Sequence, residues 1–548
     1  MKTAIISAIL LTASLAGGAV PSASARIDRV VLSGLGELKI PTSKVCTDAV
    51  FVRRVYLDMI GTIPTAAEAR AFLADKSSDK RSALIEQLFK RSEFSDYWAN
   101  KWSDLLRVKA EFPINLWPNA AQAYHHWIRT GIKENKPYDK FVREILTSSG
   151  SNFRVPQVNF YRALQSKEPE AFAQTVALTF MGARADKWKK DRLAGMAVMF
   201  SQIGFKKTAE WKEEVVYFDS LKAAKNAASG ALKKAVFPDG TPAGLTESKD
   251  PRVVFANWLT KPTNPWFTRN IVNRAWYWLQ GRGIVHEPDD IRATNPASNP
   301  KLLVLLQREL IASKYDMKHL FRIILNSKTY QRSAIPASKH PKAEALFAHY
   351  PIRRLDAEVL IDALCQITGT TETYSSLIPE PFTFIPEDCR SIALPDGSIT
   401  SPFLEMFGRP PRDTGLESER NNKPTGAQRL HLLNSSHIRN KIERSKKLQA
   451  AMRYTKGKPS QAISTLYLTI LSRYPTADEF EIIREYAQSQ GAVAKPKAKT
   501  GARGKTGPKT KGRYKGTGRP AASGAGLRTG LIDLTWALIN SSEFLYRH

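Results

Sequence analysis

Cysteine is scarce in this chain of 548 residues. Its three cysteines (Cys46, Cys365 and Cys389) are too few for a disulfide framework, and no two of them form a CxxC or CxxCH motif. The sequence therefore excludes arrays of structural zinc sites and covalently attached c-type haem. A disulfide between Cys365 and Cys389 stays open, because pairing cannot be deduced from sequence alone.

Long apolar runs are also missing beyond the first 25 residues. The chain starts with Lys2, continues with an apolar stretch over 5–11, and reaches small residues that end in Ala23-Ser24-Ala25. This pattern predicts a signal peptide over residues 1–25. A membrane anchor is the alternative, but the apolar stretch is short for a bilayer span. We expect an exported protein, periplasmic or extracellular, without a membrane span.

Acidic residues are outnumbered, since 82 Lys and Arg stand against 51 Asp and Glu and give a formal net charge of +31. The segment 495–528 alone carries eleven Lys and Arg, eight Gly, three Pro and no acidic residue. Such a composition predicts a disordered basic insertion. The charge favours acidic partners, and we expect an acidic or sulfated glycan, with other exported proteins as a second class. Nucleic acid would attract the same charge, but the export signal disfavours it.

Most of the remaining sequence is typical of helices. Thr65 and Glu68 form a capping box after Pro64 and before an apolar helical pattern. The same residues recur at the same spacing between Tyr467 and Glu479, and Ser-Glu-Phe closes both copies, at 92–94 and 542–544. A looser third copy runs from Asn299 to Tyr330, for which chance similarity stays open.

These repeats predict a mainly α protein of repeated helical hairpins in two related halves, with minor short β segments. The β segments are expected around 215–218, 235–237 and 382–385. A turn signal over 238–242 marks a plausible boundary. We therefore divide the mature chain into domains 26–235 and 236–548, the second containing the basic insertion.

Four longer motifs resemble a known pair of families. Residues 51–73 resemble the opening of the planctomycete-type cytochrome-C-like domain, and residues 264–303 resemble the signature of the planctomycete-specific domain that follows it. Residues 407–434 and 531–548 are similar to later motifs of that second domain. The resemblance implies an exported protein from bacteria rich in sulfatases and polysaccharide-degrading enzymes. It implies no established activity.

The sequence departs from these families where a cofactor would bind. Many relatives carry CxxCHxHPFxKW in the first domain, whereas residues 180–188 here keep Lys187 and Trp188 but lack the Cys and His positions. A CECER-like run of the second domain reads Leu416-Glu417-Ser418-Glu419-Arg420, without the thiols. We expect no cofactor, no covalent haem and no haem electron transfer.

The densest polar cluster lies in that second run and just before it. Its members alternate carboxylates with arginines: Arg409, Arg412, Asp413, Glu417, Glu419 and Arg420. The carboxylates could form an acid–base pair, and the arginines could bind a sulfate or carboxylate. A structural ion-pair network that joins two domains is the alternative, which we favour.

Two further groups carry candidate ligands. Asp289 and Asp290, with His286, Glu287 and Arg292, offer oxygen atoms to Ca²⁺, but without EF-hand spacing; helix capping is the favoured alternative, and we predict no metal site. Between 267 and 279, four polar residues lie among tryptophans: Arg269, Asn270, Asn273 and Arg274. This stripe could bind sugar rings, or it could belong to a buried helix that satisfies neighbouring loops, which we favour.

Two functions follow from these observations. The first is an exported helical binding or scaffold protein that contacts acidic or sulfated polysaccharide through its charge. The second is an enzyme acting on such a polymer, with carboxylates from Glu417 and Glu419 or from Asp289 and Asp290. A glycosidase needs two carboxyl groups about 5–10 Å apart beside an open cleft, which a sequence cannot show.

Overall fold

The computed structural model describes residues 22–454, 459–493 and 524–548. The predicted signal peptide therefore lies almost wholly outside the described residues, as does the predicted basic insertion up to residue 523. The first described helix begins at Ala23, two residues before the predicted cleavage point, and the helix after the insertion begins at Gly524.

Helices form most of the described chain, as predicted. The helices up to residue 259 are α1 (Ala23–Glu37), α2 (Asp48–Ile60), α3 (Ala66–Ala74), α4 (Lys80–Leu88), α5 (Ser92–Leu105), α6 (Pro118–Lys133), α7 (Tyr138–Thr147), α8 (Asn159–Arg162), α9 (Pro169–Met181), α10 (Lys190–Ala197), α11 (Ser220–Ala228) and α12 (Pro251–Leu259). Those that follow are α13 (Phe267–Gln280), α14 (Pro300–Ala312), α15 (Met317–Leu325), α16 (Ala357–Thr368), α17 (Pro402–Met406), α18 (Gly426–Asn434), α19 (Ser436–Glu443), α20 (Lys446–Tyr454), α21 (Pro459–Leu471), α22 (Ala477–Val493), α23 (Gly524–Ile539) and α24 (Ser542–Leu545).

The strands are short. They are β1 (Gly150–Ser151), β2 (Ile203–Lys207), β3 (Glu214–Phe218), β4 (Arg353–Arg354) and β5 (Tyr546–Arg547). β3 lies between β1 and β2 in an antiparallel sheet, and β4 pairs antiparallel with β5.

The predicted strand at 215–218 is confirmed within β3, but neither of the other two predicted β segments forms a strand. The segment at 235–237 contributes a single bridge between Val236 and Pro242. The segment at 382–385 is not a strand, and that prediction is wrong: the Phe382 N–H donates to the Pro379 carbonyl in a turn. Proline on both sides of that segment removes the N–H groups that a ladder would need.

The predicted capping boxes are present in both copies of the hairpin. The Thr65 hydroxyl accepts from the Glu68 N–H, and the Glu68 carboxylate accepts from the Thr65 N–H at 2.7 Å. In the second copy Thr476 and Glu479 make the same two bonds, at 3.2 and 2.7 Å. The looser copy has capped helices as well, since the Asn299 and Asp316 side chains each accept a backbone N–H at the start of their helix.

In each hairpin copy one arginine pairs with two glutamates, the capping glutamate and the glutamate of Ser-Glu-Phe, and lies close to a tyrosine ring. Arg91 pairs with the capping Glu68 and with Glu93, both through its guanidinium, and lies 5.8 Å from the Tyr56 ring centroid. In the second copy Arg473 pairs with the capping Glu479 and with Glu543, and it lies close to the Tyr467 ring. The Ser-Glu-Phe sequences begin α5 and α24 rather than closing the preceding helices.

Two adjacent arginines of α2, in the first hairpin copy, donate hydrogen bonds to the main chain of the two later copies. Arg53 donates to the Ile470 carbonyl at 2.7 Å and to the Phe544 carbonyl at 2.9 Å, at the end of the last copy. Arg54 donates to the Tyr330 carbonyl at 2.6 Å, at the end of the looser copy. The main chain at the ends of the later hairpins is therefore anchored to the first.

Buried apolar side chains from α1 to α24 form one continuous core, which crosses the predicted boundary at 235/236. Among the described residues, no helix combines the length and the low polarity that a bilayer crossing requires.

Candidate functional site

The predicted arginines of the second domain lie in a buried network. Arg412 is fully buried; its Nε lies 3.0 Å from Asp104 Oδ1, and its Nη2 donates to Asn100 Oδ1 at 2.7 Å. The same guanidinium reaches the carbonyls of Val108 and Pro395 at 3.3 and 3.4 Å. Arg412 is thus surrounded by the chain's own acceptors.

Arg420 shares one carboxylate partner, Asp104, with Arg412. It donates to Asp104 Oδ2 at 2.7 Å and to both oxygens of Glu358, at 2.6 and 2.9 Å. Arg409 lies 3.7 Å from Glu358 Oε1 and donates to the Ile399 and Asp396 carbonyls. We call Asn100, Asp104, Glu358, Arg409, Arg412 and Arg420 the junction network.

Charge compensation in the junction network is close. Burial would raise the pKa of Glu358, but Arg420 and Arg409 outweigh it and hold that pKa below its usual range. Burial and the neighbouring Arg412 lower the pKa of Arg409 to about 10, so it stays charged at neutral pH. Carboxylates and guanidiniums here stabilise one another in their ionised forms.

The junction network joins parts of the chain that are far apart in sequence. Asn100 and Asp104 lie on α5, Glu358 lies on α16, and the arginines come from the loops between 407 and 420. This is the arrangement expected of the structural alternative. A ligand for these arginines would have to displace hydrogen bonds inside the protein.

The structure brings together two candidate acids that the sequence had placed in separate groups. Asp289 Oδ1 pairs with Arg274 at 2.5 Å, and its Oδ2 accepts from the Glu417 N–H at 2.6 Å. Glu417 Oε1 accepts from the Trp278 indole N–H at 3.0 Å. Arg274 is fully buried and also donates to the carbonyls at the end of α9.

The surroundings of Glu417 change its proton affinity. Burial and the negative charge of Asp289 raise its pKa to about 7, against the lowering effect of Arg274. The Glu417 side chain is partly exposed, whereas Asp289 is buried with both oxygens engaged. A pKa of about 7 would allow Glu417 to exchange a proton with a bound molecule near neutral pH.

The remaining predicted site residues have local roles. Glu419 accepts from the Asp413 N–H at 2.8 Å and from the Thr414 hydroxyl at 3.1 Å, so it closes its own loop. Asp290 pairs with Arg292 at 3.2 Å, and neither caps a helix.

On α13, Asn273 exchanges two 2.9 Å bonds with the backbone of Val285, as the buried-helix alternative expects. Arg269 is partly exposed, and its buried Nε has no partner within the described chain.

The described residues contain neither a candidate metal site nor a disulfide bond. No group of three His, Cys, Asp or Glu there could hold a metal ion. Cys365 and Cys389 are unpaired, and burial raises the pKa of each thiol to about 11.

The segment 180–188 does not fit a covalent haem. It supplies neither a thiol nor an imidazole, and Gly182 packs so closely that an added Cβ would lie 2.6 Å from Asn270 Oδ1.

An exposed aromatic cluster escaped the sequence analysis. The Trp117 ring lies 6.5 Å from the Trp211 ring, edge to face, and 5.4 Å from the Phe382 ring. Lys212 Nζ lies between the two indoles, 5.1 Å from the Trp117 centroid and 5.3 Å from the Trp211 centroid. We call these four residues the aromatic platform.

The aromatic platform is open to solvent and partly strained. Trp211 is 67% exposed and Phe382 is 47% exposed. Trp117 and Lys212 have φ angles of +73° and +60°, which non-glycine residues seldom adopt. Strained, exposed aromatic residues on loops are typical of binding surfaces.

Three loops build the aromatic platform, which explains why the sequence hid it. Trp117 precedes α6, Trp211 and Lys212 lie in the β2–β3 turn, and Phe382 lies in the loop after α16. Glu111 ties the first loop to the third, because its carboxylate accepts from the Ser376 hydroxyl and the Leu377 N–H, both at 2.9 Å. The only sequence signal was a tryptophan flanked by charged residues within a turn.

Comparison with known proteins yields two family matches. Residues 26–198 match PSCyt2, described as a protein of unknown function (DUF1549), and residues 251–487 match PSD1, described as a protein of unknown function (DUF1553). The order of the matches confirms the order expected from the motifs. Neither the curated proteins nor the solved structures contain a significant match to this chain.

Proposed function

The chain belongs to the planctomycete-type proteins in which a DUF1549 domain precedes a DUF1553 domain, and we propose a function for it. We propose that the protein is an exported helical binding or scaffold protein for acidic or sulfated polysaccharide, and that the aromatic platform is its contact surface. The observation that carries the proposal is the exposed Lys212 ammonium between two indole rings.

This arrangement matches the two chemical features of an acidic sugar. The apolar C–H face of a sugar ring packs on an aromatic side chain, and Trp211 and Phe382 present open rings for that contact. A sulfate or carboxylate on the same sugar would accept from Lys212. Lys212 has no acidic partner within the described chain, so an external anion meets no internal competitor.

The surrounding charge favours the same class of ligand. Lys206 and Lys207 are exposed in the same hairpin, and the exposed Arg154 after β1 lies 4.0 Å from Glu213 and offsets its charge. With a net charge of +31, the protein attracts polyanions over a range set by the Debye length, about 8 Å at physiological salt. Stacking supplies a contribution that salt does not screen.

A glycan array at low and physiological salt tests this proposal. Two proteins are compared on the array: the full chain, and a variant in which a short Gly/Ser linker replaces residues 495–523. The variant is needed because the ten Lys and Arg of that segment bind polyanions without selectivity. In both forms we expect retention of sulfated or uronic glycans and none of neutral ones. Trp211→Ala should weaken binding roughly tenfold or more, because ring stacking on a ligand contributes about 1–3 kcal/mol.

Matched variants separate the aromatic platform from general charge. Lys212→Gln should weaken binding and reduce its salt dependence. Lys76→Gln, which replaces an exposed lysine between α3 and α4 without an ion pair among the described residues, should leave both unchanged. Tyr474→Ala removes an exposed ring elsewhere and should have no effect. Equal affinities of wild type and Trp211→Ala would contradict the proposed contact surface, and a lack of any acidic glycan would contradict the function.

The second candidate function is a carboxylate-dependent enzyme acting on the same class of polymer. The observation that favours it is Glu417, a partly exposed acid beside Asp289 whose pKa of about 7 suits a general acid. Release of reducing ends from an acidic polysaccharide should then fall at least about 100-fold in Glu417→Gln and not in Glu405→Gln, an exposed glutamate on α17. Equal rates in the two variants would eliminate this role of Glu417.

A further inference from the structure

A concave surface lies where residues of α16 and α18 meet the C-terminal α24 and β5. It borders an open cavity of about 230 Å³. The apolar part of the wall comes from four leucines and one phenylalanine: Leu360, Phe407, Leu432, Leu433 and Leu545. At roughly 30 Å³ per water molecule, the cavity corresponds to about eight waters, which suits a small apolar ligand.

One buried cation in the cavity wall has an unused donor. Arg354 is only 6% exposed, and its Nη atoms donate to Gln428 Oε1 and to the Phe407 carbonyl. Its Nε is buried and has no hydrogen-bond partner in the described chain. That Nε has almost no solvent exposure, so Arg354 acts on a ligand in the cavity through its positive charge.

A second cation lines the same cavity from its exposed side. Arg429 on α18 is exposed and forms no ion pair with the described residues. The wall thus offers two guanidiniums and no carboxylate, together with the Asn540 amide and the Ser542 hydroxyl. Apolar walls with a few converging polar groups are the usual composition of a small-molecule site.

We propose that this cavity binds a small amphiphilic carboxylate. The leucines and Phe407 pack against its apolar body, Arg429 binds its carboxylate, and the buried positive charge of Arg354 attracts that carboxylate. A neutral apolar molecule would make no use of the two guanidinium charges, and a compact anion such as phosphate would leave the apolar wall exposed to water. The site is separate from the aromatic platform, so neither proposal depends on the other.

Isothermal titration of the full chain with octanoate tests this assignment. We expect saturable binding at one site per chain, with 1-octanol and inorganic phosphate each at least roughly tenfold weaker, because each lacks one of the two features. Arg429→Gln should weaken octanoate roughly tenfold. Arg444→Gln, which removes another exposed arginine nearby in sequence and outside the cavity wall, should leave affinity unchanged.

A third variant probes the apolar wall without risk to the core. Leu433 is 51% exposed, so Leu433→Glu should fold normally, place a negative charge at the cavity and abolish octanoate binding. The proposal is overturned if octanoate does not bind at millimolar concentration, or if Arg429→Gln and Leu433→Glu bind it as wild type does. It is also overturned if the chain self-associates and octanoate merely dissociates the copies, because the cavity would then be a protein contact.

Discussion

Replacement of Arg412 by methionine tests whether the junction network holds the two matched regions together. Methionine has a similar length but no donor, so the change removes the 3.0 Å pair with Asp104 and the 2.7 Å bond to Asn100. Arg412 is fully buried, so no water replaces the lost donors. Breaking a buried ion pair by removing one partner costs about 3–5 kcal/mol. We expect a loss of that size in the free energy of unfolding.

The assay is urea denaturation followed by far-ultraviolet circular dichroism. The matched control is Arg439→Met, which breaks an exposed pair with Glu443 on the next turn of α19 and should change the stability little, because solvent screens that pair. A second variant, Asp104→Asn, removes the charge that Arg412 and Arg420 share and should also destabilise strongly. If Arg412→Met and Arg439→Met differ by less than about 1 kcal/mol, the junction network does not contribute as argued.

Further predictions concern backbone strain, protonation, cofactor content and the basic segment. Ser472 has a φ of +61° and a buried hydroxyl without a partner among the described residues, so Ser472→Gly should stabilise by about 1 kcal/mol in the same assay. Gly61→Ala at the equivalent position of the first hairpin should destabilise, because its Cβ would lie 2.4 Å from the Tyr97 ring. The raised pKa of Glu417 means that the unfolded chain releases this proton near pH 4.5 and the folded chain near 7. Stability should therefore fall as pH rises through that window, by no more than about 3 kcal/mol, and Glu417→Gln should remove the decline. Purified protein should show no Soret band and no covalent haem stain; either signal would refute our interpretation of residues 180–188. Replacing 495–523 with a short linker should leave helical content nearly unchanged by circular dichroism, because the hairpin closes without that segment in the first copy; a variant that fails to fold would refute the repeat argument.

Local features of the fold could be predicted because their causes are adjacent in sequence. A capping box needs only a threonine and a glutamate three residues apart, and both copies fold as the spacing indicated. The strand at 382–385 was mispredicted because its apolar residues resemble a strand, whereas the flanking prolines and the absence of a partner within the described chain decide against one.

The candidate sites depend on contacts that no local pattern encodes. Asp289 and Glu417 are 128 positions apart, so the sequence paired each with its nearest acidic neighbour instead. The arginines of the CECER-like run were found, but their partners on α5 lie some 300 positions earlier. The aromatic platform combines side chains from three loops, and each of them looks unremarkable alone.

Hydrogen–deuterium exchange with and without a sulfated oligosaccharide tests the central claim most directly, because it reports the contact surface without a mutation. We predict slower exchange in the three loops of the aromatic platform (110–117, 208–213 and 374–385) and no change in residues 409–420 or 267–280. Protection confined to residues 409–420 or 267–280, or no protection in the three loops at saturating ligand, would contradict the assignment of the aromatic platform as the glycan-binding surface.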